Sequence, residues 1–224
     1  MKYVRFFTLL LLAVQVLLYT GCGGTFPDDI QPLKEEVPRF VSGFDRDSDG
    51  VDDLQDIVEG ARVYIKGGVI YKDGYYAGGY PPEGEGVCTD VIWVALQEAG
   101  FDLKAMVDKD IQEYTAAYPR VNGRPEPNID FRRVKNLKVF FEKYAEILTT
   151  EVKPGDLENL AEWQGGDVVI FGPPLEHIAV VSDRRRPDGV PLLLHNGGPE
   201  ASEADVLLRW QSEITGHYRF PKAQ

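Results

Sequence analysis

One cysteine and two histidines are the residues whose types and spacing best suit covalent chemistry. Cys88 stands in Gly84-Glu85-Gly86-Val87-Cys88-Thr89-Asp90, and the apolar run Val91–Leu96 follows it. Flexible glycines ahead and a helical run behind place the thiol at a helix N-terminus, with Gly100 able to stop the helix. There the helix dipole and the free N–H groups favour a thiolate and lower its pKa. The same N–H groups can hold an oxyanion. A buried structural cysteine and a Cys22–Cys88 disulfide are the alternatives these residues leave open.

His177 opens an apolar run that ends at Ser182, and His195 closes another that begins at Val190. Between them, Asp183-Arg184-Arg185-Arg186-Pro187-Asp188-Gly189 is a turn. A symmetric hairpin centred on residue 186 faces His177 with His195, which is how a general base meets the partner that orients it. His217, near the C-terminus, reads as structural.

A separate constellation has the chemistry of a hard cation. Asp45, Asp47 and Asp49 alternate along the chain, and Gly50 follows. Carboxylates at positions 1, 3 and 5 with glycine at 6 wrap oxygens round Ca²⁺. Val51 offers its carbonyl at position 7, Asp53 stands at 9 and Asp56 at 12, where an EF-hand has glutamate. With Pro38 and Gly43 upstream, no helix leads in. The loop feeds one helix through Leu54, Ile57, Val58, Ala61 and Ile65. The expectation is a structural Ca²⁺ clip that takes no part in catalysis. The alternative is an acidic turn capping that helix.

These residues sit in 224 that are 43% hydrophobic, with 24 Lys+Arg against 36 Asp+Glu and a net charge of −12. That composition suits a folded domain and excludes recognition of nucleic acid through phosphates. Two cysteines exclude a disulfide scaffold or a zinc ribbon. Lys2 and Arg5 precede the apolar run Phe6–Leu18, and Tyr19-Thr20-Gly21-Cys22 follows. Residues 1–21 read as a signal peptide. The small residues before Cys22 resemble the lipobox of bacterial lipoproteins, which implies a lipid on that thiol and export to the membrane of the cell envelope. Losing Lys2 and Arg5 takes the net charge from −12 to −14. Residues 22–43 read as a tether, 44–56 as the calcium-type loop and 54–222 as the catalytic domain.

Together these residues resemble the NlpC-type papain-like cysteine peptidases of bacterial cell walls. Tyr75, Gly78 and Gly79 stand ahead of Cys88, and Gly166-Asp167 opens a strand ahead of His177 and His195. More closely, Gly86–Asp90, Asn128–Val134, His195-Asn196 and Gly216–Arg219 resemble a bacterial family of unknown function within that clan, over roughly residues 54–220. The Asp-Cys-Ser-Gly usual in the clan is here Val87-Cys88-Thr89-Asp90.

The fold implied is α+β and papain-like, with N-terminal helices carrying Cys88 packed on an antiparallel sheet from about 167 to 220 that carries both histidines. Cys88 attacks an amide carbonyl, His177 moves the proton, and His195 fixes His177, with Asn196 the alternative for that role. Tyr75, Asp90, Arg132, Arg133 and Asn196 are expected along the substrate groove, the arginines to recognise carboxylates. Apolar positions 137, 140, 141 and 144 predict a helix from Val134 beside that groove. The substrate implied is peptidoglycan, and no catalytic cofactor is called for. Acyl transfer through a thioester and a non-enzymatic Ca²⁺-dependent envelope lipoprotein are the rival readings.

Overall fold

The structure is a computed structural model that describes residues 32–222. The signal segment, Cys22 and the tether up to residue 31 lie outside the described residues. Among those described, no helix is long and apolar enough to cross a membrane.

The chain gathers most of its helices ahead of an antiparallel sheet. The helices are α1 (Asp53–Lys66), α2 (Cys88–Glu98), α3 (Leu103–Glu113), α4 (Val134–Tyr144) and the short α5 (Leu157–Ala161). A two-residue parallel pairing joins β1 (Ile70–Tyr71) to β2 (Glu85–Gly86) just before α2. The main sheet comprises β3 (Glu146–Ile147), β4 (Val168–Phe171), β5 (His177–Arg185), β6 (Pro191–His195), β7 (Ser202–Ala204) and β8 (Ile214–Arg219). Its order is β3-β8-β4-β5-β6-β7, and every neighbouring pair is antiparallel.

Strand periodicity decides where the core lies. Side chains alternate between faces, and here both faces are covered. Val168, Ile170, Ile178, Val180 and Leu194 pack under α1 and α2 with Leu54, Ile57, Val91 and Ile92. The intervening Val169, Phe171, Ala179, Val181 and Leu193 pack on the other side with Leu160 and Trp163. The central strands are therefore apolar at nearly every position.

Part of the expected tether is docked instead. Leu33 and Val37 pack against the second cluster. Leu33 N–H donates to Pro187 O at 2.9 Å. Gln164 holds the chain at two points: its Oε1 accepts from Phe40 N–H at 3.0 Å and its Nε2 donates to Pro38 O at 3.0 Å. Two apolar side chains and a buried amide outweigh the polar composition that made residues 32–40 look like a linker.

Candidate active site

Cys88 is the first residue of α2, as its glycine-rich approach predicts. A close backbone approach fixes that entry. A Cβ on Gly86 would lie 2.2 Å from Tyr64 Oη and 3.1 Å from Asp90 Oδ2, so only glycine fits there. Asp90 then caps the helix, its Oδ2 accepting from Val87 N–H at 2.8 Å. The thiol is buried among core residues, and the backbone N–H groups of Ile178, Thr89 and Cys88 itself favour its thiolate. Ile178 is the neighbour of His177, so the start of β5 meets the start of α2 at this point.

His177 and His195 meet. His177 Nε2 lies 3.0 Å from His195 Nδ1, with the rings nearly perpendicular. Their strands, however, do not pair them directly. Val180 faces Leu194 and Val181 faces Leu193, after an irregularity between Val181 and Arg185. The register is displaced by two residues from a hairpin centred on 186. Two is the side-chain period, so both imidazoles stay on one face and meet as diagonal neighbours. With Nε2 engaged, Nδ1 is the other ring nitrogen of His177; the ring packs on Phe171 and Trp210, and among the described residues no hydrogen bond joins it to Cys88, which packs with Ile178.

Electrostatics depart from the expectation of a lowered thiol pKa. Burial pushes Cys88 up to about 11, and the Asp90 carboxylate adds to this against the three N–H groups. Burial pushes His177 down to about 3, His195 adding to it, and pushes His195 down to about 4. Desolvation here exceeds what the helix terminus contributes.

Trp210 packs on the histidine pair, and no sequence pattern singled it out. Its ring stacks on His177 at 4.0 Å between centroids and 15° between planes, and its Nε1 donates to Leu175 O at 2.9 Å. It lies in a stretch between β7 and β8 without regular structure, where no periodicity singles it out.

A groove of about 260 Å³ opens beside Cys88, lined by Tyr71, Asp73, Thr89, Arg120, Arg132, Arg133, Lys135 and Glu176 among others. A larger cavity of about 570 Å³, between Tyr80, Trp93, Gln97 and Phe101, contains neither the thiol nor the histidines. Of the residues expected along the groove, Arg133 lines it, while pairing with Asp130 and Glu126. Arg132 lines it too, but its donors are taken. Its Nε and Nη2 grip Asp90 at 2.7 and 2.8 Å, and its Nη1 donates to Gly74 O. Asp90 is wholly buried in that pair and faces no substrate space.

Asn196 is buried too, donating to Gly86 O at 3.2 Å. It holds the strand ahead of Cys88 rather than His177. Tyr75 is more than half exposed and hydrogen-bonds Asn128; Tyr71 is the tyrosine on the groove. His217 is structural, stacked on Trp163 and bonded to Asp167 and Thr149 O.

In the acidic loop, Asp45, Asp47 and Asp49 bring carboxylate oxygens within 4.8 Å of one another. Asp53 and Asp56, on the first turn of α1, are buried. The carbonyl of Val51 is the remaining expected donor, at position 7 of the loop.

The sequence pattern of DUF1287, a domain of unknown function, matches residues 58–220. The Escherichia coli (strain K12) protein YijF is 39% identical over 172 residues, 73% of this chain and 80% of that one. A crystal structure of an N-acetylmuramoyl-L-alanine amidase from Bacteroides uniformis covers 74% of this chain and 97% of its own, at 11% identity and a TM-score of 0.40, a likeness too slight to build on. The match spans Cys88, His177 and His195 and begins after the acidic loop, and on its extent the chain belongs to the DUF1287 family.

Proposed function

We propose that the chain is a cysteine amide hydrolase of the bacterial cell envelope, with a papain-like NlpC-type arrangement, that cuts the stem peptides of peptidoglycan. The observation that carries this reading is the 3.0 Å contact of His177 Nε2 with His195 Nδ1, at the start of the strand whose next residue, Ile178, packs in one core with Cys88 at the start of α2. Cys88 Sγ attacks the amide carbonyl while His177 Nδ1 takes its proton. The imidazolium then gives that proton to the leaving amine, and a thioester remains for water to hydrolyse. The Cys88 N–H at the helix start serves the oxyanion. His195 holds the His177 ring on one edge, and Trp210 holds its face.

The groove fits a substrate bearing both charges. Arg120 and Asp73 line it and make no ion pair with any described residue, while Lys135 and Glu176 pair at 3.0 Å across its rim. Branched peptides with free carboxylates and amines have the matching chemistry. The signal-like segment and Cys22 support export and anchoring at a membrane through an N-terminal lipid.

The test is digestion of purified peptidoglycan by the reduced protein, with products read by mass spectrometry. Cys88→Ala should abolish cleavage with the fold retained, because the packing cost of so small a change is modest. Cleavage that survives the substitution removes the nucleophile.

A further inference from the structure

Five carboxylates crowd the entry to α1 with no Lys or Arg side chain paired to any of them among the described residues. Asp45, Asp47 and Asp49 form the exposed trio, their oxygens mutually within 4.8 Å. Behind it, Asp53 is 1% exposed and Asp56 is 7% exposed. Each has one buried carboxylate oxygen, Oδ2, without a hydrogen-bond partner. An acidic cap does not explain those oxygens. The cap is Asp52, whose side chain accepts from Leu54 N–H and from Ser42 and Gly43. Arg46, the nearest cation in sequence, turns away. Its Nε donates to Gly100 O at 3.0 Å and its guanidinium lies over the Phe101 ring.

Asp53 feels Asp45 and Asp47, and Asp56 feels Asp49, Asp47 and Asp53, as neighbouring like charges. Geometry ties Asp53 to the loop: its Oδ1 accepts from Arg46 N–H at 2.8 Å, between Asp45 and Asp47. Leaving a buried carboxylate oxygen unpaired is costly, and the like charges of the neighbouring loop raise the cost. A bound cation removes both penalties.

We propose that this loop binds one Ca²⁺, held by Asp45, Asp47, Asp49 and the carbonyl of Val51 and closed from beneath by Asp53 and Asp56. Every donor is a hard oxygen, with no thiolate or imidazole among them, which selects Ca²⁺ over zinc or copper. Gly50, at φ +94°, makes the turn that the wrap needs. The ion also has a mechanical place. Asp47 packs against Gly100, just past the end of α2, so the loop fastens the start of α1 to the far end of the helix that begins at Cys88.

Thermal melting of the full chain in CaCl₂, MgCl₂ or chelator tests this, with calorimetric titration of CaCl₂ for stoichiometry. The expected result is one Ca²⁺ per chain and a rise in melting temperature of about 5–10 °C at a hundredfold excess over Kd. Mg²⁺ should give less, because it demands a tighter octahedral shell. Asp47→Asn, at an exposed position, and Asp56→Asn should each weaken binding at least about tenfold, a loss of one ligand charge. An unchanged melting temperature up to millimolar Ca²⁺ overturns the site. So does an equal response to Mg²⁺ that both variants retain, which would mean charge screening.

Discussion

Burial works against every isolated charge in the Cys88, His177 and His195 cluster, yet it does not forbid the charges together. Under the proposed mechanism, moving the proton from Sγ to Nδ1 would leave the net charge unchanged and create a pair of opposite charges. The ionisations accordingly belong to the pair. In His177→Ala nothing remains to receive the proton, and the thiol should titrate close to the 11 that burial imposes. With His177 in place, alkylation by iodoacetamide should reach half its limiting rate well below that pH. Rates measured by mass spectrometry from pH 6 to 11 check this; identical profiles for the two proteins would show that His177 does not serve Cys88. His195 and Trp210 touch the ring of His177, so under the proposed mechanism they are positioning residues.

At the scale of elements, α2 is the part whose placement matters most, and a buried ion pair sets it. Arg132, from the turn before α4, grips Asp90 in the first turn of α2, with side chains 2% and 0% exposed. Arg132→Ala leaves a carboxylate buried and uncompensated, at a cost of about 3–5 kcal/mol. Chemical denaturation should show that loss, and a change below about 1 kcal/mol would mean that Asp90 finds other partners. The ends of α4 were legible because Leu137, Phe140, Phe141 and Tyr144 mark one helical stripe. The start of α2 and the mixed, largely antiparallel layout were legible from the glycines and the β-rich runs. The hairpin register was legible only to within two residues, since the irregularity beyond Val181 has no signature in side-chain type. Asp90 and Arg132 had the charges of groove residues, and nothing in their spacing told that they lie 42 residues apart on one another. Trp210 stands outside any periodic segment, and Arg120 and Asp73 reach the groove only through tertiary packing.

At the scale of the whole molecule, the sheet separates two cores. Cys88 belongs to the one with α1 and α2, and the N-terminal segment docks on the other. Gln164 is the main polar fastening of that segment. Gln164→Ala removes hydrogen bonds to both Phe40 and Pro38, and with about 1 kcal/mol for each the segment should open roughly thirtyfold more often. Limited trypsin digestion at Lys34 and Arg39 reads this directly, with the core after residue 53 staying intact. Unaltered cleavage would show that Leu33 and Val37 hold the segment alone.

The docking also sets a working radius. A free tether from Cys22 to residue 43 would let the domain range about 70 Å from its anchor, at about 3.5 Å per residue. With the chain fastened from Leu33, the leash from Cys22 shortens to about 40 Å. It leaves from the side of the sheet away from the helices that carry the thiol. Under the anchoring proposed above, the enzyme would search a shallow layer next to its membrane with its groove turned outward. Only bonds within that layer would be in reach, whatever their chemistry.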